Sequence, residues 1–380
     1  MKKILICIYN LQGGGAERVL INFLDVIDKN KWDITLLVLR KEGIYLNKIP
    51  KGIRVIYGFK TLFGRKVSNK VLSFLPNKLL YKLFVKEDFD VEISFLEGFA
   101  TKVISGSSLH SKKIAWVHAD FKTYHWTKNM FSLNEEKKYY SRFDKIVCVS
   151  KMCLNSFKDI FGFEEKLIVI YNLLDKSLES YDKVHFKNVF KDYETTKIIY
   201  VGRFEREKGV ERLIYAFKDV VDLGYKECTL FFLGEGSLRN TLEIFVKDNG
   251  LDEYVRFIGF KEKVYDYILS SDYVIVPSHS ESYCLVLAES VCLGKVCIST
   301  DTAGGREVLN NGEYGVLVEN SKEGIKNGIL SVLRNDFSRE EYEEKILKWS
   351  YNFRNESIIE KINDLIMERE GNLDENYFFD

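Results

Sequence analysis

Short runs of Ile, Val and Leu recur along the chain, separated by helix-length amphipathic segments, and this alternation constrains the fold more than any other feature. A run of four to six apolar residues suits a strand buried on both faces, and parallel strands buried that way need crossover helices to cover them. The pattern predicts strands at Ile4–Ile8, Ile34–Leu39, Val91–Phe95, Ile114–Val117, Ile146–Val149 and Ile168–Ile170. A second set falls at Lys197–Val201, Thr229–Leu233, Val255–Ile258, Tyr273–Val276, Val296–Ser299 and Gly315–Val318. Between them Asn172–Thr196 is polar, charged and without clear periodicity, and reads as a linker. A chain of 380 residues is too long for one ordinary core. The fold class is therefore α/β, with two doubly wound parallel-sheet domains facing each other, split near residue 180.

Composition narrows the function classes. With 46% hydrophobic and 14% aromatic residues the chain has enough apolar surface to fold, which excludes intrinsic disorder. Seven scattered cysteines without a Cys-x-x-Cys pair argue against a disulfide framework or zinc knuckle and for a reducing cytosol. The apolar run after Lys3 stops after five residues, short of a signal-peptide core, and nowhere do about 18 apolar residues run together, so any membrane contact is expected to be peripheral. Charge is balanced overall, at 56 Lys+Arg against 56 Asp+Glu, but not locally. Residues 1–180 carry 30 basic and 19 acidic residues, and the remainder carries 26 and 37, so a +11 half faces a −11 half.

In doubly wound sheets ligands sit beyond the carboxyl ends of the strands, so strand-to-helix turns are where chemistry is sought. The first such turn is Leu11-Gln12-Gly13-Gly14-Gly15-Ala16-Glu17-Arg18, opening a helix with Leu20, Phe23, Leu24 and Ile27 on one face. Its glycines admit a ligand close to the backbone and its helix start offers N–H groups to an anion, or they merely make a tight turn. The spacing is not Gly-x-Gly-x-x-Gly, so a nicotinamide-dependent oxidoreductase is weakly supported. The second turn, Gly202-Arg203-Phe204-Glu205-Arg206-Glu207-Lys208-Gly209, brings an Arg and a Lys to one strand end, where both can meet one anionic group or remain solvated. Leu233-Gly234-Glu235-Gly236 is a third turn. The fourth segment, Pro277-Ser278-His279-Ser280-Glu281-Ser282-Tyr283-Cys284-Leu285-Val286-Leu287-Ala288-Glu289, sets Glu281 beside a helix expected to begin near Ser282. Glu289 lies among apolar neighbours on that helix, and a carboxylate there needs a partner: ligand hydroxyls, a lysine or a backbone amide.

Two glutamates separated by seven residues, Glu281 and Glu289, resemble the signature of retaining glycosyltransferases of family 4, which have the GT-B fold of two facing Rossmann-like domains with an interdomain cleft. Gly14-Gly15-Ala16-Glu17-Arg18 is similar to that family's N-terminal glycine loop, Gly202-Arg203-Phe204 with Glu207-Lys208-Gly209 to its pyrophosphate motif, and Leu233-Gly234-Glu235-Gly236 and Ile258-Gly259-Phe260 to its nucleotide-side turns. The resemblance spans nearly the whole chain. It implies a nucleotide-diphosphate sugar, with UDP as its nucleotide, whose diphosphate is held by Arg203 and Lys208 with help from Gly14, Gly15 and the amides around Cys284 and Leu285. It implies Glu289 on the ribose, Glu281 on the sugar hydroxyls, and backbone near Gly236 and Phe260 by the base. His118, just beyond a strand, resembles the histidine beside the transferred sugar, which makes Glu281, His118, Arg203 and Lys208 the candidate catalytic residues. No metal cofactor is implied. Ser282 and Tyr283 stand where the family often has Gly and Phe, which puts the pocket around the sugar in question, and Lys295 replaces a common proline. The resemblance further implies that a C-terminal helix, sought here in 356–380, returns to an N-terminal domain of residues 1–180, leaving 181–355 as the donor domain.

The basic half has its own signature. Lys60–Lys86 contains Arg65, Lys66, Lys70, Lys78, Lys82 and no acidic residue, interleaved with leucines and phenylalanines. Such a stretch either lies in the interface of an anionic bilayer or is an ordinary helix pair with solvated lysines. Because the resemblance implies acceptors on lipid carriers or lipopolysaccharide, the expected setting is the cytoplasmic face of the inner or plasma membrane, held peripherally. Nucleic acid is disfavoured by the absence of a recognition motif. Rival readings are a sugar-nucleotide epimerase, a cytosolic transferase with a soluble acceptor, and a non-catalytic lipid-surface binding protein.

Overall fold

In the computed structural model, which describes residues 2–59, 64–108, 110–181 and 185–367, the apolar runs pair into two wholly parallel sheets. The first contains β1 (Lys2–Ile8), β2 (Trp32–Arg40), β3 (Arg54–Phe59), β4 (Val91–Ser94), β5 (Lys112–Val117), β6 (Lys145–Cys148) and β7 (Leu167–Val169) in the order β3-β2-β1-β4-β5-β6-β7. The second contains β8 (Thr196–Val201), β9 (Cys228–Leu233), β10 (Val255–Gly259), β11 (Tyr273–Val276), β12 (Cys297–Thr300) and β13 (Val316–Val318) in the order β10-β9-β8-β11-β12-β13. Twelve of these strands coincide with the predicted runs to within two residues at either end. The exception, β3, is an edge strand paired only with β2, largely half-exposed and carrying Gly58, so it lacks the continuous apolar run of a central strand.

The chain divides into two compact units, Met1–Lys176 with the segment from Asn355 onward, and Ser177–Arg354. The stretch read as a linker is not free chain, since most of it folds onto the second unit. Phe190 is buried and stacks on Phe231 at 3.9 Å, Val189 N–H donates to Ser270 Oγ at 2.9 Å, and Asp266 accepts the Tyr181 hydroxyl. In the first unit the Asn355 side chain accepts from Leu174 N–H at 2.8 Å and donates to its carbonyl at 3.0 Å. The helix Asn355–Met367 that follows buries Ile358, Ile362, Leu365 and Ile366. The remainder of the expected C-terminal helix, 368–380, lies outside the described residues.

Each sheet reverses its strand order once, between β1 and β4 and between β8 and β11. Loops leaving the carboxyl ends of strands at such a reversal diverge to opposite faces and leave a crevice, which is where doubly wound proteins bind ligands. The turns singled out in the sequence after β1, β8 and β11 all lie at these reversals.

Candidate active site

In the second unit the turn after β8 and the loop after β11 are bound into one framework. Gly209 has φ +69°, and a Cβ there would collide with the Pro277 carbonyl oxygen, so only glycine lets the two loops approach this closely. The Arg212 guanidinium, on the helix Val210–Asp222, donates to Pro277 O (2.9 Å from Nε, 2.5 Å from Nη2) and to Ser278 O (2.7 Å), and His279 N–H donates to Glu207 O at 3.0 Å. These bonds bring Lys208 against Glu281. Lys208 Nζ donates to Glu281 Oε1 at 2.5 Å, and Ser278 Oγ donates to the same oxygen at 2.9 Å. Burial alone would pull the Lys208 ammonium down, but the adjoining Glu281 carboxylate holds it above the usual lysine range.

Arg203 is placed differently. Its side chain is 62% exposed and, among the described residues, makes only a surface pair with Glu207, at 3.1 Å. Such pairs contribute little, so the guanidinium can swing onto a ligand at small cost. The turn after β9 closes over the same strand ends: Phe204 N–H donates to Glu235 O at 2.8 Å, and a Cβ on Gly236 would lie 2.5 Å from the Phe204 backbone. Gly234 N–H donates to Gly259 O at 3.0 Å, and Phe260, next along the turn after β10, is 72% exposed.

The helix after β11 runs Leu285–Cys292, so it begins at Leu285 and not near Ser282. Residues 281–284 are held outside the helix because Glu281 O accepts the Gly304 N–H at 2.7 Å. Cys284 is the residue before the first helical turn, and burial pushes its thiol up to about 12, so it is the amides around Cys284 and Leu285 that suit an anion there. Glu289 is buried on this helix. Tyr283 is buried too, its ring 6.5 Å from that of Phe353. Lys295 is buried, donates to Ser271 O at 2.9 Å, and is pulled down to about 8 by burial.

In the first unit, Gly14 precedes the helix Gly15–Val26, and the Glu17 carboxylate accepts from Gly13 N–H at 2.8 Å and from Gly14 N–H. Among the described residues, nothing lies within 4 Å of where a Cβ on Gly15 would stand. His118 follows β5. Its ring lies 5.4 Å from that of Phe95, and its buried Nε2 has no hydrogen-bond partner among the described residues. Burial pushes the imidazole down to about 3, so it is neutral at physiological pH.

The basic segment forms two helices, Arg65–Phe74 and Asn77–Phe84, while Lys60 lies outside the described residues. Ser68, Leu72, Leu80 and Phe84 face inward. Val67, Phe74, Leu79 and Leu83 stay exposed beside Lys66, Lys70, Lys78 and Lys82, with Phe74 at 77%. Arg65 reaches back to Gln12 of the glycine loop, 3.4 Å from Nη2 to Oε1.

Two sequence models of known families match successive parts of the chain: Glycosyltransferase Family 4 over residues 13–178, and Glycosyl transferases group 1 over residues 182–349. The chain is a group 1 glycosyltransferase. Its paired parallel sheets are those of the GT-B fold read from the sequence. An uncharacterized glycosyltransferase of Methanocaldococcus jannaschii is 30% identical over 213 residues, and this chain spans about half of it, 55% of each chain being matched. The N-acetylgalactosamine-N,N'-diacetylbacillosaminyl-diphospho-undecaprenol 4-alpha-N-acetylgalactosaminyltransferase of Campylobacter jejuni is 26% identical over 363 residues, 91% of this chain and 94% of that one. Among solved structures, Anabaena Alr3699/HepE in complex with UDP and glucose has a TM-score of 0.76 at 18% identity, covering 97% of this chain and 100% of that one.

Sequence reading of this glycosyltransferase missed one structurally important residue in each unit, Glu97 in the first and Arg212 in the second. Arg212 sits mid-pattern on an amphipathic helix and carries no local sign that it anchors Pro277 and Ser278. Glu97 does carry one, because an acidic residue just before a glycine at the end of a buried strand has nowhere to go but a turn.

Proposed function

We propose that the enzyme moves a hexose or N-acetylhexosamine from a UDP-sugar to a lipid-linked or cell-surface glycan, with retention, forming an α-glycosidic bond. The observation that carries this reading is the Lys208–Glu281 pair at the strand-order reversal of the second sheet, flanked by Arg203 and by the start of the helix Leu285–Cys292. An ammonium already desolvated against a carboxylate is ready to exchange that carboxylate for a diphosphate. Glu281, still bonded to Ser278, is then free to accept sugar hydroxyls, and Glu289 the ribose hydroxyls. In the transfer step the bond from the sugar to the diphosphate breaks with its electron pair going to the diphosphate. The acceptor oxygen bonds to the same face of the sugar, and its proton passes to a diphosphate oxygen. Arg203, Lys208 and the amides around Leu285 stabilise the charge that develops on the leaving group. The mechanism calls for no metal ion.

Support for a lipid-linked acceptor comes from the C. jejuni relative, whose name specifies a diphospho-undecaprenol substrate. Support for a UDP donor comes from the Anabaena structure in complex with UDP and glucose. Among the described residues no helix is long and apolar enough to cross a membrane. The exposed cationic face of Arg65–Phe84 suits a peripheral seat on an anionic bilayer, on its cytoplasmic side. A thermal-shift screen against UDP-sugars, followed by UDP release, tests the reading. One donor should raise the melting temperature and be consumed, chelators should leave the rate unchanged, and Arg203→Ala, Lys208→Ala and Glu289→Ala should each lower it about 100-fold or more. Full activity in Lys208→Ala would sink the assignment.

A further inference from the structure

The loop after β4 lies at the strand-order reversal of the first sheet, opposite the glycine loop after β1, and it contains a buried carboxylate. Glu97 is 1% exposed. Its Oε1 accepts the N–H of His118 at 2.5 Å and the N–H of Ala119 at 2.7 Å, so one oxygen clamps two consecutive peptides of the turn that follows β5. Glu97 Oε2 is buried without a partner among the described residues, as is His118 Nε2. Burial drives the Glu97 carboxyl up, and the N–H groups it accepts oppose that rise. A group this costly to bury has to hold something in return. What it holds is the backbone that carries His118, whose ring is wedged against Phe95 two residues before Glu97.

We propose that Glu97 is a positioning residue for glycosyl transfer: by accepting both N–H groups of the His118–Ala119 turn, it fixes the backbone that carries the His118 imidazole beside the transferred sugar. This rests on the reading of His118 as the histidine beside that sugar. Displacement of such a group by about 1 Å is enough to cost about 100-fold in rate. The effect comes from acceptor geometry, so an isosteric amide, whose carbonyl oxygen also accepts two N–H groups, retains most of it.

The test uses the full chain with UDP-glucose, UDP-galactose, UDP-N-acetylglucosamine and UDP-N-acetylgalactosamine as probes, read by UDP release from whichever is consumed. His118→Ala and Glu97→Ala should each lower kcat about 100-fold with KM for the donor nearly unchanged. Glu97→Gln should stay within about fivefold of wild type, and the double variant His118→Ala/Glu97→Ala should be no slower than either single one, because both remove the same contribution. Hydrogen exchange gives a readout independent of any donor: the amides of His118 and Ala119 should exchange at least about tenfold faster in Glu97→Ala. Unchanged protection of those amides, a Glu97→Gln variant as slow as Glu97→Ala, or additive losses in the double variant would overturn the role of Glu97 alone. A wild-type rate in His118→Ala would instead overturn the reading of His118, and the proposal with it.

Discussion

Lys208 is a side chain whose stabilising pair and proposed chemistry can be tested separately. While Glu281 is a carboxylate, the pair stabilises the fold below the ordinary Lys208 value near 10.5, and that contribution is lost as pH rises through the raised folded value. Lys208→Ala leaves the Glu281 carboxylate with Ser278 as its remaining partner there, so a stability loss of about 1–3 kcal/mol should accompany the loss of rate. Arg203→Ala should cost almost no stability, because its partner is a surface pair, while the rate falls as steeply. Urea denaturation beside UDP release separates the two effects. His118 titrates in the opposite sense. Its folded value of about 3 lies below the ordinary 6.5, so the unfolded chain binds the extra proton and stability falls as pH drops from about 6.5 towards 3. His118→Gln should flatten that part of the stability–pH curve, and an unchanged curve would mean that the ring is solvated. The placement of Arg203, Lys208 and Glu281 at strand-to-helix turns was legible in the sequence because each follows a predicted strand, and Glu289 stood out as a carboxylate among apolar neighbours on a helix. Their pairing was not, because it depends on Arg212 and Gly209 drawing together two loops about 70 residues apart in sequence.

Among the loops and helices, glycines mark where backbones meet and where a ligand has room. Gly209→Ala should destabilise the chain by about 2 kcal/mol or more, since its φ is left-handed and its Cβ meets the Pro277 carbonyl. Gly15→Ala should leave stability unchanged or raise it by about 0.5 kcal/mol, because the site is helical and open, while transfer slows. Thermal melts and UDP release on the two variants check this contrast, and equal destabilisation would contradict it. Central strands such as β1 and β9 could be read directly from sequence because they are buried along their whole length. The edge strand β3 could not, since half-exposed strands carry mixed residues. Nor could the start of the helix after β11, which the Gly304 bond to Glu281 delays to Leu285.

For the whole molecule, the zero net charge hides the division that matters. The helices Arg65–Phe74 and Asn77–Phe84 add lysines to an exposed apolar face, and replacing Lys66, Lys70, Lys78 and Lys82 by Gln should weaken binding to anionic vesicles by about 4 kcal/mol at low salt, at about 1 kcal/mol each. Cosedimentation that is equal on neutral and anionic vesicles would contradict a membrane role. The proposed donor chemistry falls in the acidic half, where Arg203, Lys208 and the helix amides would act at contact range and whole-chain charge is irrelevant. The most direct test of the central claim is UDP release by the wild-type chain and by Lys208→Ala, using the four UDP-sugars with a polyprenyl-diphosphate-linked glycan as acceptor. Release from one donor, coupled to extension of the lipid-linked glycan and reduced about 100-fold or more in Lys208→Ala, is the predicted result. Release from none of them, or an undiminished rate in Lys208→Ala, would contradict it.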